Sequence, residues 1–205
     1  EAKKSFEDAV ESISGYVSGE LKIEKLSEDK CYGIQDKETA MAFLQKAIDH
    51  PLPYIALDSE TSALYCRDGY MLGFSMSYEP DHGIYCDADV IDEDVEVKMQ
   101  ELFNKKTVVF HNAKFDLQWF IYHFNFEFPN FEDTMLMHYM FDENPGTHGL
   151  KQLAMKLTPF GDYEKPLEDW GNEYRRKHGI LKEAFSYDLI PFDVMKDYAA
   201  MDAVV

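Results

Sequence analysis

Short, mainly apolar runs that stop at polar residues alternate with amphipathic helical patterns along this chain of 205 residues. The clearest runs are residues 54–57 and 107–110, and runs this short are typical of buried strands rather than helices. Two more strands are predicted at 70–78 and 84–86, joined by a turn in which Pro80 and Gly83 supply the required backbone angles. The chain is therefore expected to build a sheet around buried strands.

Helical patterns surround these strands, at 37–49, 93–103, 114–123, 133–141, 150–157, 167–178 and from 192 onward. A meander of three strands followed by strand–helix units predicts an α/β fold, a mixed sheet covered by helices. A short strand near 126–131 would give this sheet five strands, and residues 31–35 resemble a further short strand ahead of the first helix.

The two ends of the chain differ from its middle. Residues 1–30 are polar and carry apolar residues at helical spacing, which predicts a helical N-terminal appendage beside a main domain at 31–205: Phe6, Val10, Ile13, Val17 and Leu21. The last helix reaches Val205 without a Gly, Asn or basic residue to end it. We therefore expect that helix to continue in a longer polypeptide.

The formal net charge of −19 limits the partners of the chain. Neutralising many phosphates requires a basic surface, so a long duplex footprint is not expected. Acidic side chains do suit a site for divalent cations. The sequence has no apolar stretch of membrane-spanning length and no signal peptide pattern, and its three cysteines form no CxxC pair. Reduced thiols, a cytoplasmic location and no structural zinc are expected.

Two carboxylates follow a predicted buried strand. Asp58 and Glu60 are two residues apart, so in extended backbone both side chains point to one face and can converge on one cation. A lone pair of this kind is more often a turn or a helix cap.

Two further pairs have the same ambiguity. Asn112 and Asp116 run from the end of a strand into a helix, where each is also suited to capping. Tyr198 and Asp202 are four apart and share one helix face. Three carboxylate segments that can meet at strand ends are what a two-cation phosphodiesterase requires. With oxygen ligands alone, the cations are expected to be Mg²⁺ or Mn²⁺.

These segments, Asp58-Ser-Glu60-Thr61, Asn112-x-x-x-Asp116 and Tyr198-x-x-x-Asp202, resemble the exonuclease motifs of the DnaQ-like DEDD superfamily, in its DEDDy branch. Flanking sequence is similar to the 3′→5′ proofreading domain of family A, polymerase I-like DNA polymerases. It includes Leu64, Phe110-His-Asn-Ala-Lys-Phe-Asp116, Asp133-Thr-Met-Leu136 and His148-Gly-Leu-Lys-Gln-Leu153. The resemblance covers about residues 31–205 and implies a ribonuclease H-like fold, a DNA 3′ end as substrate and a polymerase domain in the same polypeptide.

The resemblance also implies residue roles. Asp58, Glu60 and Asp202 would bind the first metal ion, with Asp58 bridging to a second ion that Asp116 supports. Tyr198 would orient the attacking water. The terminal nucleotides would contact Thr61, Leu64, Asn112 and Phe115. Asp133 is interpreted as a helix cap rather than a ligand.

The chain departs from the family at Thr147, where related polymerases often have a basic residue, and residues 158–193 match only loosely. Two alternatives stay open: an RNase D-like RNA exonuclease with the same chemistry, and a non-catalytic domain that holds DNA ends. Outside the motifs, the Met and aromatic residues at 135–141 are expected to pack in the core, and the basic residues 175–178 to favour a helix C-terminus.

Overall fold

A computed structural model describes residues 26–27 and 29–205. The helix predicted in the N-terminal appendage, with its apolar positions at 6–21, lies outside the described residues. No described helix is long and apolar enough to cross a membrane.

The described residues form a sheet of six strands in the order β1-β4-β3-β2-β5-β6. Strand β3 pairs antiparallel with β2 and β4, and the other pairs are parallel. The strands are β1 (Cys31–Ile34), β2 (Tyr54–Thr61), β3 (Met71–Glu79), β4 (His82–Asp87), β5 (Thr107–Phe110) and β6 (Phe131–Asp133). The predicted mixed α/β class is confirmed.

The predicted count of five strands is wrong. Residues 31–34 join the sheet edge as a sixth strand, because each residue of β1 pairs in parallel with one of β4, from Cys31 opposite Gly83 to Ile34 opposite Cys86. The strand predicted near 126–131 instead begins at Phe131, where it pairs with Val108 of β5.

In the described part of the chain, seven α-helices flank the sheet, most of them at the predicted places. Three begin at aspartates whose side chains accept hydrogen bonds from first-turn amides: Asp36, Asp92 and Asp133. The helices are α1 (Lys37–Asp49), α2 (Glu93–Lys105), α3 (Ala113–Phe124), α4 (Thr134–Tyr139), α5 (Leu150–Leu157), α6 (Lys165–His178) and α7 (Phe192–Asp202). The basic last turn of α6 precedes Gly179, which ends the helix in the left-handed conformation.

The two faces of the sheet carry different layers. Helices α1, α2 and α3 cover one face, and their buried side chains include Phe43, Phe103 and Trp119. Helix α7 packs on the opposite face, where Ala199 and Ala200 lie in a second apolar cluster with Tyr85.

A close backbone approach seats α7 on the sheet. A Cβ atom built at Gly83 of β4 would overlap the carbonyl oxygen of Ala200, so only glycine permits this approach. The position of α7 sets the position of Asp202, its last residue and a predicted site residue.

The prediction that the Met and aromatic residues at 135–141 pack in the core is wrong. Phe141 is 90% exposed and Met140 is 84% exposed, and Met137 and Tyr139 are also exposed. The reason is that α4 is only six residues long and follows the edge strand β6, so these side chains have no second layer above them among the described residues.

Candidate active site

Strand β2 places two carboxylates at the edge of the site. It continues to Thr61, so Asp58 and Glu60 lie within the strand rather than after it. Its pairing with β5 stops at Ala56, whereas its pairing with β3 continues through Asp58 and Glu60. Both side chains are therefore held in extended geometry beyond the end of β5, and alternation places them on one face of the sheet.

Helix α7 brings the third carboxylate to the same face. Single ligand oxygens of Asp58, Glu60 and Asp202 all lie within 4.8 Å of one another, and no other described group of acids, histidines or cysteines converges in this way. Residues separated by more than 140 positions thus meet at one point, and they come from two of the three predicted carboxylate segments.

Asp116 approaches from the other face of the sheet and has a different environment. Its Oδ1 accepts hydrogen bonds from the Ser59 amide at 3.0 Å and from the Ser59 hydroxyl at 2.7 Å. Its side chain is almost completely enclosed, with the residue 1% exposed. Asp116 adjoins the cluster of three carboxylates but is not one of its converging members.

Burial raises the pKa of all four predicted site carboxylates, and repulsion between carboxylates adds to that rise for Asp58, Glu60 and Asp202. Burial, followed by the charges of Asp116 and Asp202, raises the pKa of Asp58 well above its usual range, and burial and the charge of Asp202 do the same for Glu60. Burial also raises the pKa of Asp116 to about 7. Close, poorly solvated carboxylates favour either protons or a bound cation.

Two tyrosines contact Asp202. The hydroxyl of Tyr163 donates to Asp202 Oδ1 at 2.5 Å. Burial raises the pKa of Asp202 to about 7, while hydrogen bonds from Tyr163 and Tyr198 oppose that rise. Burial and the Asp202 charge raise the pKa of Tyr163 above its usual range, so its hydroxyl stays protonated and is the donor.

The predicted Tyr198 is thus beside the acids, one helical turn from Asp202. Tyr163 was not singled out by the sequence, because it lies in the segment 158–193 that matches the family only loosely. Its position two residues before the start of α6 is a local signal, but it does not indicate a contact with a residue 39 positions away.

An open cleft of about 620 Å³ runs along these side chains. Thr61, Leu64 and Phe115, predicted to contact substrate, line it beside the carboxylates. Leu64 is 69% exposed, so its apolar side chain is accessible from the cleft.

Asn112 does not line this cleft and does not cap α3 with its side chain. Its backbone is left-handed, at φ 70°, and its amide donates to Asp133. Asp133 also accepts from the amides of Ala113 and Met135 and so joins the starts of α3 and α4. The interpretation of Asp133 as a helix cap is confirmed.

Among residues 26–27 and 29–205, Lys151 is the only lysine or arginine that lines the cleft. Its ammonium group forms ion pairs with Glu164 at 3.0 Å, Glu168 at 3.0 Å and Asp162 at 3.4 Å. Its charge is therefore already compensated, and the cleft as a whole is acidic. Thr147, the departure from the family, donates its hydroxyl to the Asn144 carbonyl instead of supplying a cation.

The donor set fits a hard divalent cation. The converging atoms are carboxylate oxygens, which Mg²⁺ and Mn²⁺ prefer, and no thiol or imidazole takes part. A cation would also relieve the repulsion that raises the pKa values of these acids.

Known proteins resemble the chain over nearly its whole length. The family described as 3′-5′ exonuclease, from DNA polymerase A, matches residues 31–205. The DNA polymerase of Escherichia phage T5 is 42% identical over 98% of this chain, which spans 24% of that polymerase.

Solved structures share the fold at low identity. The catalytic core of RRP6 from Trypanosoma brucei has a TM-score of 0.61 at 19% identity, covering 90% of this chain and 46% of that one. Escherichia coli RNase D, an exoribonuclease involved in structured RNA processing, has a TM-score of 0.60 at 14% identity, covering 88% and 42%. The fold is ribonuclease H-like, as predicted. The chain belongs to the family of 3′-5′ exonuclease domains of family A DNA polymerases.

Proposed function

We propose that the chain is a two-metal-ion 3′→5′ exonuclease that removes mispaired 3′-terminal nucleotides from DNA as 5′-monophosphates, and thereby serves as the proofreading module of a family A DNA polymerase. The observation that carries this proposal is the meeting of Asp58, Glu60 and Asp202 at the wall of an open cleft. The match to a polymerase exonuclease family supports DNA as the substrate.

In this proposal Asp58, Glu60 and Asp202 hold the first cation, and Asp58 and Asp116 serve the second. Bound Mg²⁺ or Mn²⁺ ions would lower the pKa of a water molecule and stabilise the charge that develops on the leaving 3′ oxygen. Tyr198 orients the attacking water through its hydroxyl, which lies near Asp202. Two hydrogen bonds from Ser59 hold one carboxylate oxygen of Asp116 in position and leave the other oxygen available to the second cation.

The terminal nucleotides are proposed to lie along Thr61, Leu64 and Phe115. Leu64 and Phe115 offer apolar contact to a base of any sequence, which suits an enzyme that must accept all four nucleotides. Asn112, at the exposed start of α3, is proposed to contact the strand outside the cleft. Because the cleft is acidic and its lysine is paired, DNA binding should depend on the cations.

A polymerase domain in the same polypeptide is the proposed partner. The phage relative is a full DNA polymerase of which this chain spans about a quarter, and its source fits an enzyme acting in the cytoplasm of an infected host. The exposed apolar residues Tyr139, Met140 and Phe141 offer a surface for such a neighbouring domain.

The decisive experiment is digestion of 5′-labelled single-stranded DNA with Mg²⁺ or Mn²⁺, beside an RNA oligonucleotide of matched sequence. A ladder that shortens from the 3′ end on DNA, requires the cation and disappears in Asp58→Ala is the expected result. Asp197→Ala provides the matched control, because it removes an exposed carboxylate from helix α7 and should leave the rate unchanged.

Preference for RNA would instead support the RNase D-like alternative, which shares the fold. Terminal ribose would then be tolerated at a position where a DNA enzyme is expected to reject the 2′ hydroxyl. Folded protein that binds single strands but cleaves neither substrate would support the non-catalytic alternative.

A further inference from the structure

Tyr163 is a half-buried tyrosine that the proposed reaction does not use, yet its hydroxyl contacts a proposed metal ligand directly. Its hydroxyl lies 2.5 Å from Asp202 Oδ1. Its ring is nearly parallel to that of Tyr198, at an interplanar angle of 17° and a centroid distance of 6.3 Å. Asp202 is thus approached by two phenols from different elements, one on its own helix and one from the turn before α6.

Ion pairs on both sides of Tyr163 hold its segment in place. Lys151 of α5 forms ion pairs with Asp162 and Glu164, the two residues that flank Tyr163 in sequence, and also with Glu168 in α6. Three acids on one ammonium group restrict the turn more than an isolated surface pair would. The phenol is therefore presented to Asp202 by a fixed backbone.

We propose that Tyr163 is a positioning residue for metal binding, whose hydroxyl holds the Asp202 carboxylate in the orientation that faces Asp58 and Glu60. This inference rests on the proposed cation site. A carboxylate has about four lone-pair positions, so it can accept one hydrogen bond from Tyr163 and still bind a cation. Without the hydroxyl, the carboxylate would rotate among conformers, and ordering it would weaken cation binding.

The geometry distinguishes this role from simple packing. If Tyr163 acted only by filling space against Tyr198, phenylalanine would replace it without consequence for the cation, since the ring would remain. If the hydroxyl orients Asp202, loss of that single oxygen should lower cation affinity with little effect on the fold.

The test is calorimetric titration of the chain with Mn²⁺ alone, for the wild type, Tyr163→Phe and Tyr174→Phe. Tyr174 is a matched control because it lies in α6, stacks on Trp170 and takes no part in the cleft. Outer partners of metal ligands are worth about 10- to 100-fold in affinity or activity, so Tyr163→Phe should weaken Mn²⁺ binding by about that factor. Tyr174→Phe should stay within about twofold of the wild type on the same reasoning.

The exonuclease assay provides a second readout. For Tyr163→Phe, the Mn²⁺ concentration that gives half the maximal rate should rise by the same factor as the dissociation constant, while the rate at saturating Mn²⁺ largely recovers. Wild-type affinity in Tyr163→Phe, or an equal loss in Tyr174→Phe, would overturn the positioning role.

Two further outcomes are distinguishable. Failure of the wild type itself to bind Mn²⁺ would refute the proposed cation site, and the inference with it. If Tyr163→Phe does not fold in EDTA, Lys151→Met is the second variant, because it keeps the phenol but releases the turn that presents it. Weakened Mn²⁺ binding by a folded Lys151→Met chain supports the inference, and wild-type affinity overturns it.

Discussion

Replacing Asp116 with asparagine should stabilise the metal-free protein at alkaline pH while reducing its exonuclease activity. Asparagine has nearly the same shape, and its amide oxygen can accept the two hydrogen bonds from Ser59. It removes a charge that is enclosed by protein and lies beside Asp58. Activity should fall because the second cation loses its support.

The magnitude follows from the ionisation of Asp116 in the folded state. Burial raises its pKa from 3.8 to about 7, and a change of this size corresponds to about 4 kcal/mol of folding free energy. Because the pKa is raised on folding, this stability is fully present below pH 3.8 and is lost as the pH rises through about 7. The titration of Asp116 is linked to that of Asp58, whose pKa is also raised, so the gain at pH 8 should be at most the full value, between about 2 and 4 kcal/mol.

The assay is urea unfolding in EDTA at pH 4 and pH 8, followed by the fluorescence of Trp119 and Trp170. The variant should exceed the wild type by about 2–4 kcal/mol at pH 8 and by less than about 1 kcal/mol at pH 4. Asp197→Asn, an exposed carboxylate, should change stability by no more than about 0.5 kcal/mol at either pH. A variant that is less stable than the wild type at pH 8, or a difference that does not depend on pH, would refute the reasoning.

Three other substitutions test separate parts of the site. Tyr198→Phe should slow cleavage by at least about tenfold yet leave Mn²⁺ affinity within about twofold, because the hydroxyl orients water rather than binding the ion. A loss of Mn²⁺ affinity, measured by calorimetry, as large as the loss of rate would contradict that role. Gly83→Ala should lower the free energy of unfolding in urea by about 1–3 kcal/mol, because the new methyl group would displace the Ala200 backbone. The same displacement should move Asp202 and weaken Mn²⁺ binding. Unchanged stability and unchanged affinity would show that α7 tolerates the methyl group without moving Asp202. Leu64→Ala should raise KM for single-stranded DNA about fivefold, because about 1 kcal/mol of contact with a base is lost. The free energy of unfolding should stay unchanged because Leu64 is exposed. A loss of stability with unchanged KM would show that Leu64 supports the fold instead.

Local patterns were sufficient to predict most of the elements. Helix α1 was predicted at its observed bounds because its apolar spacing is a local feature. The edge strand β1 was left out of the five-strand count, since a run of four residues acquires its meaning only by pairing with β4, some 50 positions later. The exposed Met and aromatic residues at 135–141 were wrongly assigned to the core for the same reason. Hydrophobicity predicts burial only when another element lies above the side chain.

The sequence by itself determined which residues are candidates for the site: Asp58 and Glu60 by their period-2 spacing, Tyr198 and Asp202 by their shared helix face, and the whole set by its resemblance to a family. Only the tertiary structure decided how these residues are arranged. The seating of α7 at Gly83 brings Asp202 to Asp58, and the turn before α6 brings Tyr163 to Asp202. Alternation along β2 sends Ser59 to the opposite face, where it binds Asp116. Spacing is a property of neighbouring residues, whereas a contact between distant residues depends on how helices and strands pack. A single hydrogen bond between a hydroxyl group and a carboxylate produces no periodic pattern in the sequence.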